Sequence, residues 1–395
     1  MTSWTTSLAV PLLALSAAAA AQVPQIVVGA TVAQSGMLAD RAAGYRKGLL
    51  LWEEQVNAAG GVGGRPVRLV LLDDASEAIR VGKLYARLID ESKADALLGP
   101  YGTAASLMAA AQAESSRRVM VDGAAPSRTV HKRAPRYVFQ AGVPYAAYGL
   151  NALDLAKEAG YRRIFVVTRD DFASREMAEA TLQAARERGL EPAELEIHPA
   201  STTDFTPQIG RARAFGAQAW IAFGEAADAA YMVKSFRRYN YAPQLFFARG
   251  AADPLFVSLV GQDAEATLAA VEYAPAFRTP GNDEFVKAFS ARWSEAPGAA
   301  AAEGYAAASV LGDALRRAGT DALKLREVLS ASEFPTVLGP YKVDAKTGEE
   351  IAARPALVQI VRGRPEPVSP SAGVSRQALP YPQWSERRPI RADKR

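Results

Sequence analysis

Apolar residues fall along this chain in two alternating patterns. Short runs that are apolar throughout, rich in Val, Ile and Leu, read as buried strands, and longer stretches with apolar residues every three or four positions read as helices. "QIVVGATV" (25–32) is of the first kind, and "AGYRKGLLLWEEQVNAAG" (43–60), with Leu49, Leu50, Trp52 and Val56, is of the second. The alternation continues through "RPVRLVLLDD" (65–74), "IRVGKLYARLIDES" (79–92), "ADALLGP" (94–100), "AASLMAAAQAESS" (104–116) and "RRVMVDGAA" (117–125). It restarts at "YAAYGLNALDLAKEAGYRRIFVVTRDD" (145–171) and runs on to "PQLFFARG" (243–250). Short apolar strands separated by helices predict parallel sheets covered on both faces. Two such series predict an α/β protein of two doubly wound lobes.

The glycine cluster "GGVGG" (60–64) invites a reading as a phosphate loop. A phosphate loop follows a strand and opens a helix, because the anion needs the free N–H groups of a helix start. This cluster follows a helix and precedes a strand, so it predicts a helix stop and a tight reversal. No G-x-G-x-x-G or G-K-[ST] is present in the strand-to-helix turn "TVAQSGMLADRAAG" (31–44).

Composition narrows the classes. With 395 residues the chain suits two domains. Lys and Arg (46) nearly balance Asp and Glu (42), and the excess gathers in the terminal "SERRPIRADKR" (385–395), so nucleic-acid binding is not expected. No cysteine occurs, which removes disulfides, thiolate chemistry and cysteine metal sites. The N-terminus carries an apolar core from Leu8 to Leu15, then alanines and Gln22. It is too short to span a bilayer, and Ala19-Ala20-Ala21 fits a small-residue cleavage rule. The expectation is a signal peptide over residues 1–21, with the departure that no basic residue precedes the apolar core; an unstructured tail is the alternative.

Taken in order, "GATVAQSG", "NAAGGVGGRPVRLVLLDD", "LLGPYGTAAS", "YVFQAG", "GYRRIFVVTRDD", "TDFTPQIGRARAFGAQAWIAFG", "YAPQLFFARG" and "EGYAAASVLGDALRRAG" resemble the extracytoplasmic substrate-binding proteins of branched-chain amino-acid-type ABC importers, the leucine/isoleucine/valine-binding family. The likeness runs from about Ile26 to about Val361. It implies a type I periplasmic-binding fold with the ligand held between two lobes, which three crossings join near residues 139–144, 273–277 and 338–344. The lobes then comprise 25–141 with 274–338 and 142–273 with 339–365, followed by a basic, Pro-rich tail (366–395). It further implies a periplasmic monomer that needs no cofactor and delivers a small carboxylate-bearing ligand to a membrane permease and its ATPase.

The resemblance also suggests site residues. Thr103 in "GPYGTAAS" matches a hydroxyl that binds the substrate carboxylate, beside Tyr101, Gly102 and the N–H groups of a helix start. A helix cap is the simpler role for Thr103. Ala124 matches a position that offers its backbone to the carboxylate. The hydroxyl common two residues later is replaced by Pro126, with Ser127 as its stand-in. Phe172 falls where a tyrosine usually meets the ligand from the second lobe, or it is a packed core ring. Arg41 falls where a tryptophan often covers the ligand, and Arg249 where an acidic residue usually pairs with the ligand's ammonium. Solvated arginines are the bland reading of both. Glu225, in "FGEAAD", is a nearby carboxylate. An arginine in place of the acid points to an organic acid, aromatic if Phe172, Tyr101 and Tyr145 wall the site, with amino acids as the alternative.

Two other classes compete with a transport role. An enzyme finds little support: His131 and His198 lie in no motif, and Asp73 and Asp74 are adjacent strand-end residues whose side chains diverge. A ligand sensor acting on a membrane receptor fits the same fold as a transport protein.

Overall fold

The computed structural model describes residues 24–368 and 379–386. The expected signal peptide (1–21) and most of the expected tail (366–395) lie outside the described residues.

Five strands form the first sheet. The order along the chain is β1 (Ile26–Val32), α1 (Ala39–Ala58), β2 (Val67–Asp73), α2 (Ala78–Asp90), β3 (Ala96–Leu98), α3 (Thr103–Ser116), β4 (Met120–Asp122) and β5 (Val138–Gln140). The strands lie β2-β1-β3-β4-β5, all parallel, with Val28 of β1 beside Leu69 of β2 and Ala96 of β3. Every residue of β1 is buried, as a central parallel strand with both faces covered requires, whereas β2 at the edge is mostly half-exposed. The "GGVGG" stretch is the helix stop that its position predicted: Gly60, Gly61, Gly63 and Gly64 all have positive φ, and Val62 bridges Arg65 across the reversal. A Cβ on Gly61 would lie 2.1 Å from the Arg65 carbonyl oxygen, so the turn closes only around glycine.

The second unit comprises α4 (Leu150–Glu158), β6 (Arg163–Arg169), α5 (Phe172–Glu187), β7 (Glu191–Pro192), β8 (Glu196–His198), α6 (Thr206–Phe215), β9 (Ala219–Phe223), α7 (Ala226–Arg238), β10 (Leu245–Ala248), α8 (Pro254–Val260) and β11 (Leu268–Val271). The chain then makes α9 (Asn282–Trp293), α10 (Ala299–Ala318), α11 (Ala322–Ala331), the hairpin β12 (Phe334–Thr336) and β13 (Gly339–Tyr341), and finally β14 (Ala356–Val361) and β15 (Arg364–Pro367). The second sheet runs β15-β14-β11-β10-β9-β6-β7, with β8 also on β6; its body is parallel and β14 and β15 add antiparallel to one edge.

Packing shows three passages between the sheets. The chain leaves the first after β5. It returns after β11, because Ala307, Leu311 and Leu329 of the following helices pack in one cluster with Val28 and Leu98. It leaves again before β14. Tyr341 and Val343 still belong to the first cluster, so this last passage falls after Val343, some residues beyond the 338/339 division expected from sequence. The expected tail also differs. Residues 364–367 are a strand, and 379–386 form a strap on the second unit with Tyr381 buried against Phe246. A Pro-rich composition hid an aromatic anchor.

Candidate functional site

Sheet topology alone locates two crevices. In an open parallel sheet, loops leaving neighbouring strands part where the strand order reverses, and a crevice opens there at the carboxyl ends. In the first sheet the reversal lies between β1 and β3, and in the second between β6 and β9. Tyr101, Gly102 and Thr103 follow β3, Phe172 follows β6 and Glu225 follows β9. Arg41 stands in the first turn of α1, Ala124 and Ser127 follow β4, and Arg249 follows β10.

Thr103 opens α3 rather than capping it. The cap position is Gly102, and no side chain caps the helix. The Thr103 hydroxyl therefore sits beside unspent N–H groups at a helix start, which is an anion-favouring arrangement. Gly102 has φ +99° and ψ 145°, a conformation that belongs to glycine, and its N–H donates to the Ala124 carbonyl at 3.1 Å. That bond ties the β3 and β4 loops together. It also occupies Ala124, whose own N–H donates to Asp122 Oδ1 at 3.2 Å, so the backbone expected to face a carboxylate is engaged within the protein. Ser127 is engaged too. Its hydroxyl donates to Glu176 Oε2 at 2.6 Å and accepts from the Thr129 N–H at 3.1 Å.

Phe172 begins α5 with 59% of its surface exposed, so it is not a core ring. Arg249 is half-buried, with Nη1 3.6 Å from Glu225 Oε1. The residue that breaks the amino-acid pattern and the carboxylate offered as its substitute thus pair with each other. Gly250 makes this possible, since a Cβ there would lie 2.3 Å from the Glu225 backbone. Arg41 is exposed and acts on the Tyr101 phenol. Tyr101 packs 6.0 Å from the Tyr45 ring. Burial pushes the Tyr145 phenol up to about 12, with Arg249 pulling it down and Glu272, Glu176 and Glu303 pushing it further up.

These interactions bring in two carboxylates that sequence reasoning did not single out. Glu272 directly follows β11 and Glu303 lies in α10, and both act on Tyr101 and Tyr145. Burial pushes the Glu272 carboxyl up to about 7. Glu303 is held well above the usual carboxylate range by burial first, then by Glu272 and Asp122. Solvent reaches part of each residue while protein encloses the rest, as on a cleft wall. The signal in the sequence was faint: a single carboxylate in the small-residue run "APGAAAAEGYAAA" (296–308), and another ending the strand "TLAAVE" (267–272).

Other charged candidates are structural. Asp73 accepts from the Gln34 N–H and the Ser35 hydroxyl, and Asp74 from the Thr31 hydroxyl, so both bind the β1 turn to the end of β2. His131 bonds the Thr347 carbonyl at 2.8 Å, and His198 packs edge-on to Phe205.

Two doubly wound sheets, joined by three passages and each with candidate loops at its strand-order reversal, form the two-lobed architecture of solute-binding proteins. The chain belongs to the periplasmic binding protein family, which it matches over residues 25–364. It is 24% identical over 331 residues to an amino acid binding protein of Pseudomonas aeruginosa, covering 81% of this chain and 86% of that one. Among solved structures, a branched-chain amino acid ABC transporter protein from Rhodospirillum rubrum superposes with a TM-score of 0.79 at 22% identity, covering 87% of this chain and all of the other. A solute binding protein of an ABC transporter from Rhodopseudomonas palustris BisB5 superposes with a TM-score of 0.65 at 21% identity, covering 92% and 99%. These structures share the fold, which is that of solute-binding proteins.

Proposed function

We propose that the protein is exported to the periplasm, captures a small organic acid between its lobes as a monomer, and delivers it to the permease and ATPase of an ABC importer. The acid's carboxylate meets the Thr103 hydroxyl and the N-terminus of α3. The observation that carries the ligand class is Arg249, a half-buried guanidinium beside Tyr145 where a binder of free amino acids needs an anion. An ammonium about 4 Å from that guanidinium is opposed by up to about 4 kcal/mol at a partly buried site, close to a thousandfold in affinity. Tyr101, Tyr145 and the exposed Phe172 ring offer flat walls, which favours an aromatic acid. The Rhodopseudomonas protein of the same fold is in complex with 3,4-dihydroxybenzoic acid.

An amino-acid ligand is the second reading. Glu225 partly cancels the Arg249 charge at 3.6 Å, and Glu272 and Glu303 add carboxylates that an ammonium could meet. A thermal-shift screen over aromatic acids, oxo acids, dicarboxylates and branched-chain amino acids separates the two. Ligand at about 100 times its dissociation constant stabilises by about 2.7 kcal/mol. The expected result is stabilisation by acids lacking an ammonium, lost in Arg249→Glu. Stabilisation by leucine or isoleucine alone overturns the organic-acid reading.

A further inference from the structure

A single carboxylate fastens the loop after β4 to the second lobe. Glu176, in the second turn of α5, spends both its oxygens on that loop: Oε2 accepts from the Ser127 hydroxyl at 2.6 Å and Oε1 from the Arg128 N–H at 2.8 Å. The partners belong to different lobes. Ala125 and Val130, on either side of Ser127 and Arg128, pack with Val81, Tyr85 and Ala109 of the first lobe. Met177 and Ala178, next to Glu176, pack with Ile164, Val166 and Ile221 of the second. Both partners stand near the carboxyl ends of strands, Ser127 after β4 and Glu176 one turn past Phe172, which follows β6.

Other bonds of the same loop run to the passages. The Tyr145 N–H donates to the Pro126 carbonyl at 2.9 Å, the His131 ring bonds the Thr347 carbonyl at 2.8 Å, and Arg128 Nε lies 3.5 Å from Glu349 Oε1. The passages are the hinge, so these bonds do not have to break when the lobes turn. Glu176 sits on a helix that moves with the second lobe, so swinging α5 away from the β4 loop breaks both of its bonds.

We propose that Glu176 is a clasp between the lobes: it holds the ligand-free protein toward the closed form and must release the β4 loop before the cleft opens. The inference rests on the two-lobe capture described above. The acceptor is a carboxylate and the donors are neutral, so the bonds are charge-assisted and need no second ion. Glu176 is half-buried and returns to water on opening, while the buried Ser127 hydroxyl keeps Thr129 Oγ1 at 2.9 Å. Opening therefore forfeits the net value of hydrogen bonds to a charged group, about tenfold or more in the ratio of closed to open forms. Ser127 then acts on affinity through closure and not by touching the ligand. Cutting the clasp lowers affinity by the factor by which the closed fraction falls.

Small-angle scattering of the ligand-free protein tests this with Glu176→Ala and Ser127→Ala, and with Glu179→Ala, which removes an exposed carboxylate from the same helix, as the control. Circular dichroism checks that each variant is folded, and Glu176→Gln, which keeps one acceptor oxygen, supplies a milder cut. The radius of gyration is expected to exceed the wild-type value in Glu176→Ala and Ser127→Ala, to be intermediate in Glu176→Gln and to be unchanged in Glu179→Ala. The double variant is expected to match Glu176→Ala, because the two residues act as one unit. Leucine, benzoate and 3,4-dihydroxybenzoate are added in parallel. A compound that contracts the wild type is expected to leave Glu176→Ala about tenfold faster in stopped flow. A ligand-free radius that is the same in wild type, Glu176→Ala and Ser127→Ala overturns the clasp, and contraction of the wild type by one of the compounds then leaves two-lobe capture standing. Equal expansion in Glu179→Ala also overturns the clasp, because the effect then follows the charge of the helix and not the two bonds. If none of the compounds contracts the wild type, two-lobe capture of these ligand classes fails, while the ligand-free radii still decide the clasp.

Discussion

Thr103 carries the residue-scale case, because its two sequence roles separate in the structure. A capping hydroxyl accepts from an N–H of its own helix, and this one does not, since Gly102 holds the cap position. Thr103→Ala therefore leaves α3 intact and removes a hydrogen bond to a charged ligand, which costs about 1.5–3 kcal/mol of binding. Calorimetry with the ligand found by screening, beside an unchanged circular dichroism spectrum, checks it. A loss under about 0.5 kcal/mol would take Thr103 out of the site. Ser127 shows the converse: its type matched a ligand hydroxyl, but its bonds to Glu176 and Thr129 hold the β4 loop in shape.

At the scale of elements, the strap from 379 to 386 closes a gap on the second lobe. The Tyr381 N–H donates to the Gln244 carbonyl at 2.7 Å, and the Trp384 indole N–H donates to the Tyr241 carbonyl at 2.8 Å. The Tyr381 ring packs edge-on against Phe246, 5.6 Å between centroids, within the cluster that holds Trp220 and Phe236. Emptying that position leaves an aromatic-sized cavity that the sheet cannot collapse to fill. Tyr381→Ala is expected to destabilise the second lobe by about 3–5 kcal/mol. Denaturant unfolding followed by tryptophan fluorescence reads this directly, because Trp220 and Trp384 flank the site. An unchanged midpoint would show that the strap adds nothing to the lobe.

The whole molecule carries an unusual set of raised carboxyls. Burial pushes Asp122 up to about 6 and Glu350 to about 7, both above the ordinary carboxylate range. Glu350 accepts from the N–H groups of Lys342, Ala352 and Ala353, and its own N–H donates to Gln140 Oε1, so it holds the first and third passages together. A folded value above the unfolded one means that the stability is intact below the unfolded value and fades as pH rises through the folded one. The protein is therefore expected to lose thermal stability between about pH 5 and about pH 7.5, and Glu350→Gln to flatten part of that slope. Melting temperatures across this range check the sign, and a rise towards neutral pH would contradict it.

What the sequence determined by itself was the alternation of buried strands and amphipathic helices, the glycine stop after α1, and the order of the family's motifs. These are local quantities: periodicity, φ restrictions and composition act within a turn or two of chain. They were enough to place Thr103, Phe172, Glu225 and Arg249 on strand-end loops. Only the tertiary structure decided which loops lie at the two strand-order reversals, that Arg249 and Glu225 pair, and that protein encloses much of Glu272 and Glu303. Strand order and the joining of distant segments depend on packing between residues far apart in the chain, and a carboxylate in a helix reads the same in sequence whether it meets water or another carboxylate. Burial, which sets the charge of both, is a property of the assembled fold.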